Sequence, residues 1–125
     1  MHKRTIKYTD YNDESQERDF YFNLSKTEIA KLEASTKGGL EYKLNKIMVE
    51  KDVDAIMTTA DEIIMLAYGE KSVDGRFVKS KELSKAFSET AAYDELFMEL
   101  LSDADKFAAF ITAIIPKTAE LPKTN

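Results

Sequence analysis

Phe20-Tyr21-Phe22-Asn23-Leu24-Ser25-Lys26-Thr27-Glu28-Ile29-Ala30-Lys31-Leu32, residues 20–32, is where the hydrophobic period of this chain changes. Phe20, Phe22 and Leu24 recur at every second position, the spacing of a strand with one buried face. From Ser25 onward the spacing is helical. Ser25 and Glu28 form a Ser-x-x-Glu capping box, and Leu24 is placed to close over Ile29 as a hydrophobic staple. A strand that runs straight into a capped helix sets the class as α+β.

Upstream, residues 3–9 alternate in the same way, with Ile6 and Tyr8 on one face, so a second strand precedes the first. The polar segment Asp10 to Arg18 is long for a tight hairpin turn, which predicts pairing without fixing its register. An isolated two-stranded unit is marginal in water, so the Ile6/Tyr8/Phe20/Phe22 face must pack on helices or join a partner's sheet.

Downstream the pattern is helical. Ile29 and Leu32 mark a first stripe that should end before Gly38-Gly39, where a left-handed cap is inexpensive. Leu40, Leu44, Ile47 and Met48 mark a second. Asp52 is placed to cap a third, whose Val53, Ile56, Met57, Ala60, Ile63, Ile64, Ala67 and Tyr68 trace one broad apolar face closed by Gly69. Asp74-Gly75 is a turn signal between Val73 and Phe77. Ser80, Thr90 and Asp103 are placed to cap three short helices carrying Leu83/Phe87, Tyr93/Leu96/Phe97/Leu100/Leu101 and Phe107/Ala108/Ile111/Ile114/Ile115, the last stopped by Pro116. The expected fold is α+β, mainly α-helical, with an N-terminal β-hairpin packed on about six helices. Residues 1–116 are expected to form one domain and Lys117 to Asn125 a flexible tail.

Composition narrows the function. The chain has 125 residues, 43% apolar and 33% charged, which suits one folded core rather than disorder. The longest apolar run, near Ala108 to Ile115, is far short of a transmembrane span, and no signal-peptide apolar segment follows His2-Lys3-Arg4. A formal net charge of −5 opposes nucleic-acid binding, and the basic Lys3/Arg4/Lys7 cluster is offset by Asp10, Asp13, Glu14, Glu17 and Asp19. There is no cysteine, so disulfides and thiolate chemistry are absent, in keeping with a reducing cytoplasm.

Material for catalysis is scarce. The single histidine, His2, is expected at a frayed end, and no phosphate loop, nucleophile elbow or zinc helix motif occurs. Asp52/Asp54 and Asp103/Asp105 read more simply as helix caps and first-turn acids than as cation ligands, and Glu95/Glu99 lacks the series a calcium loop needs. Neither enzyme activity nor a cofactor or metal is expected. From Ala86 to Asp105 the charged residues are all acidic: Glu89, Asp94, Glu95, Glu99, Asp103 and Asp105. That run is either a solvated face or a docking surface for a basic partner. Met98, off the Tyr93/Phe97/Leu101 stripe, and Met65, on the margin of its own, are either edge packing or soft contact points.

Six stretches carry a further signal: Thr5-Ile6-Lys7-Tyr8-Thr9-Asp10-Tyr11, Asp19 to Ser25, Tyr68 to Ser72 with Asp74 to Phe77, Ala92 to Leu100, Asp103 to Asp105, and Phe110 to Pro116. In wording and order they resemble the tail assembly chaperones of long-tailed, non-contractile bacteriophages, especially those infecting Gram-positive hosts. The resemblance implies a non-catalytic assembly factor that binds the tape measure protein, keeps it soluble, helps tail tube protein polymerise around it, and then leaves. It implies residence in the bacterial host cytoplasm and absence from the mature virion. Family members are often made in a short form and a frameshift-extended form, for which the Lys117 to Asn125 tail is a suitable starting point. Homo-oligomers are compatible with it. The resemblance assigns no client-contact residues, so Glu95, Met98 and Glu99 are candidates from the acidic run alone. The alternative is a small acidic protein–protein adaptor or regulator without a chaperone role.

Overall fold

A computed structural model describes residues 1–116. The flexible tail expected over Lys117 to Asn125 lies outside the described residues. Among those described, the order is β1 (His2–Thr9), β2 (Ser15–Phe22), α1 (Lys26–Ser35), α2 (Leu40–Glu50), α3 (Val53–Ala67), β3 (Tyr68–Lys71), β4 (Phe77–Val78), α4 (Lys81–Ser88), α5 (Ala91–Ser102) and α6 (Ala104–Ile114). The class is α+β and mainly helical, with the N-terminal hairpin in place.

The hairpin pairs from His2↔Phe22 to Thr9↔Ser15, so β2 begins inside the segment read as a long polar connection. Asp10 closes the turn: its Oδ1 accepts from Asn12 N (2.9 Å) and Glu14 N (3.0 Å), and Oδ2 accepts from Gln16 Nε2 (2.9 Å). Asp13 takes the left-handed conformation at φ 60°, which aspartate tolerates better than most residues. Ile6, Phe20 and Phe22 are buried on the helix side, while Lys3, Thr5, Lys7 and Thr9 face solvent.

Among the described residues the sheet has four strands in the order β1-β2-β3-β4, two more than the alternating pattern revealed. Tyr68 leaves the helix rather than extending its apolar face. Its N–H still bonds Ile64 O, but ψ 140° turns the chain into β3, where Tyr68 pairs with Phe22. Burial of its ring against Phe87, stacked at 4.4 Å and 8°, is the physical reason. Gly69 is needed here, since a Cβ would lie 2.8 Å from the Val78 carbonyl oxygen and 2.7 Å from the Phe77 ring.

The capping box forms as expected: Glu28 N donates to Ser25 Oγ (3.1 Å) and Ser25 N to Glu28 Oε1 (2.9 Å). Leu24 and Ile29 both enter the core. The helix ends at Thr36, not at a left-handed glycine. Gly38 and Gly39, at φ 79° and 90°, form the link, and Gly39 serves as the N-cap of α2. Asp52, Ser80, Thr90 and Asp103 cap the helices assigned to them. Phe22, fully buried, sits among Tyr68, Phe87 and Phe110 at 5.4–5.8 Å between ring centroids.

Candidate functional site

α5 is the element on which the candidate residues converge. Its buried side carries Ala92, Leu96 and Leu100, and it lies against β1, α6 and α3. Thr90 Oγ1 accepts from Tyr93 N (3.3 Å) and donates to Phe87 O (2.7 Å), fixing where the helix begins. Asp94, Glu95 and Met98 therefore fall on the exposed side. Met98 is 58% exposed, a large apolar group in contact with water. Glu95 borders a depression at the turn end of the hairpin, with Lys7, Tyr8, Gln16 and Glu17.

Glu99 differs. It is half-buried, accepts a hydrogen bond from Arg4 of β1, and has Lys106 Nζ of α6 at 3.8 Å from Oε1. This carboxylate joins three elements. Burial pulls the Arg4 guanidinium below its ordinary value. Of the remaining acids, Asp103 accepts Asp105 N through Oδ1 (2.9 Å) as the cap of α6, Glu89 is the C-cap of α4, and Asp105 is exposed in the first turn. Asp52 Oδ1 likewise accepts Ala55 N (3.2 Å). Among the described residues no group of three or more His, Cys, Asp or Glu side chains is arranged to hold a metal ion.

His2 is not at a frayed end. It pairs with Phe22 from its place in β1, its ring lies 5.6 Å from that of Phe110, and its Nε2 is buried with no hydrogen-bond partner among the described residues. Burial first, then the charge of Arg4, lowers its pKa. Met65 is half-buried beside Leu66, on a depression shared with Glu28, Glu62, Lys79 and Ser84. Gly38-Gly39 makes no anion cradle: Glu33 Oε2 already accepts Leu40 N at the start of α2 (2.9 Å).

Two further ties, beyond Arg4 to Glu99, were not foreseen. Lys79 Nζ donates to Glu28 Oε1 (2.7 Å), Glu28 Oε2 (2.8 Å) and Asn23 O (2.6 Å). Tyr93 donates its hydroxyl to Asp61, and burial followed by that carboxylate pushes the phenol pKa up. Both join residues far apart in sequence, and periodicity carries no signal for such pairs.

The arrangement offers contact surface and capped helices. A family model described as phage tail assembly chaperone matches residues 1–122. The chain belongs to the phage tail assembly chaperone family. Searches of curated proteins and of solved structures gave no match. Among the described residues of this tail assembly chaperone, no helix is long and apolar enough to cross a membrane. The family match extends over the hairpin, all six described helices and beyond Pro116, so the family assignment does not rest on one motif.

Proposed function

We propose that this tail assembly chaperone binds the tape measure protein, keeps it soluble, and supports polymerisation of tail tube protein around it before leaving. It acts by contact rather than by bond making, in the host cytoplasm, and stays out of the finished virion. The observation that carries the reading is the exposed side of α5, where Met98 stands 58% exposed with Glu95 exposed beside it. A flexible thioether adapts to varied apolar side chains, and the neighbouring carboxylates keep a loaded complex in solution and favour basic client segments. Glu99 contributes at the edge of this surface while tied to Arg4.

A frameshift-extended form that continues from the end of the chain belongs to the same proposal, as a second partner in tail assembly. The test is co-expression with the tape measure protein of the source phage, scored by client solubility and co-purification. A client that becomes soluble and travels with the chaperone supports the reading. A client that precipitates while the chaperone stays folded and soluble, with and without the extended form, refutes it and favours an adaptor role.

A further inference from the structure

The hairpin carries two open edges of opposite charge. Asp10 N donates to Glu14 O (2.9 Å), and the register continues from there without a bulge. Hydrogen-bonded pairs alternate in an antiparallel ladder. Tyr8/Gln16, Ile6/Arg18 and Arg4/Phe20 are then the bonded pairs, and Lys3, Thr5, Lys7 and Thr9 turn their backbone groups outward. β1 is the first strand of the sheet, so among the described residues no strand covers them.

The same alternation turns Ser15, Glu17, Asp19 and Tyr21 to the other side of β2. Tyr21 pairs with Gly69, and Asn23 N bonds Ala67 O (2.9 Å), which agrees with this parity. β3 covers only Tyr21 and Phe22, leaving Ser15 to Phe20 open. Among the described residues no hydrogen bond reaches the outward backbone groups of either edge. The β1 edge presents Lys3 and Lys7, and the β2 edge presents Glu17 and Asp19, all exposed. Asp19 accepts the Thr5 hydroxyl at 2.5 Å within its own hairpin, and Arg18 lies between the two acids.

We propose that copies of this chain add edge to edge, β1 of one against the Ser15 to Phe20 edge of β2 in the next. With residues 2–7 antiparallel to residues 15–20, Lys3 lies opposite Asp19, Lys7 opposite Ser15, and Glu17 faces Thr5 between the two lysines. Opposite charges across strands favour the pairing. The symmetric alternative is disfavoured, because β1 against β1 centred on Thr5 sets Lys3 against Lys7 twice. The contact is heterologous, so it propagates as a ring or an open chain rather than stopping at a dimer.

Sedimentation velocity of the full chain, over a concentration series at low and high salt, tests this. The expected result is a mass that rises from 14.2 kDa by about twofold or more with concentration and falls back with salt. Lys3→Glu with Lys7→Glu, or Glu17→Lys with Asp19→Lys, should each leave a monomer. Mixing the two variants should restore assembly, as should all four substitutions in one chain, which also keeps the charge pairing within the hairpin. A monomer at every concentration in low salt overturns the proposal. So does assembly that survives both single-edge variants, or variants that stay folded by circular dichroism yet fail to rescue each other.

Discussion

Replacing Lys79 by Met and Glu28 by Gln, singly and together, isolates the tie between the end of β4 and the first turn of α1. Lys79 Nζ lies within 2.6–2.8 Å of three acceptors, and the two side chains are only 22% and 28% exposed. A hydrogen bond to a charged group contributes about 1.5–3 kcal/mol, and a fully exposed ion pair about 0.2–1 kcal/mol. Partial exposure places this pair between those limits, so the expected coupling energy is about 1–2 kcal/mol. For a chain of this length each kcal/mol moves the midpoint by about 4 °C. Glutamine retains an oxygen for Ser25 N, so the cap survives in that variant and the cycle reports mainly the charge.

The pH dependence supplies a second check on the same pair. Burial raises the Glu28 pKa, but the Lys79 hydrogen bond and the Ser25 backbone more than offset it, leaving it below the ordinary 4.5. A depressed acid contributes stability that is present above its unfolded-state pKa and lost as pH falls through the folded one. The coupling measured by urea unfolding should therefore be full at neutral pH and shrink below pH 4.5. A coupling under about 0.3 kcal/mol at neutral pH, or one that persists unchanged in acid, would refute the reasoning.

Three further outcomes are expected. His2 is half-buried with a lowered pKa, so the unfolded chain takes up its proton first as pH falls through 6.5, and stability drops with it. Urea midpoints for the parent should fall more between neutral pH and pH 5.5 than those of a His2→Gln variant, with about pH 5.5 chosen to lie below the unfolded value. Glu99→Ala leaves Arg4 half-buried without its carboxylate and should cost about 1–2 kcal/mol in unfolding free energy, whereas Asp94→Ala should stay within about 0.5 kcal/mol. Met98→Ser with Glu95→Lys should leave thermal stability within the same margin of about 0.5 kcal/mol while reducing co-purification of the tape measure protein. Undiminished co-purification would remove that surface from the proposed function.

The elements that sequence revealed are those governed by neighbours in the chain. Ser25, Asp52, Ser80, Thr90 and Asp103 cap helices because a side-chain oxygen reaches an amide two or three residues on. The alternation of Ile6, Phe20 and Phe22 announced a buried sheet face for the same reason. β3 and β4 stayed hidden because Tyr68-Gly69-Glu70-Lys71 and Phe77-Val78 are too short to show a period. The pairing of β3 depends on Phe22 and Tyr21, far away in sequence. At the candidate site, the place of Met98 off the apolar stripe left edge packing and exposed contact both open, and the engagement of Glu99 carried no local signal, because Arg4 lies at the other end of the chain.

Residues 20–32 decide the fold for a further reason, seen only in three dimensions. The link between β2 and α1 is Asn23-Leu24-Ser25, and an extended link must satisfy its own amides and carbonyls. Asn23 N bonds Ala67 O at the end of α3 (2.9 Å), and Leu24 N bonds Ile114 O at the end of α6 (2.8 Å). The Asn23 carbonyl accepts Lys79 Nζ. Helix ends carry carbonyls without intrahelical partners, so the link supplies donors where two helices need them. One short stretch thus changes the chain from strand to helix and joins α3, α6 and the end of β4. Disturbing it should loosen those elements together, whereas a substitution at Met98 touches none of these bonds.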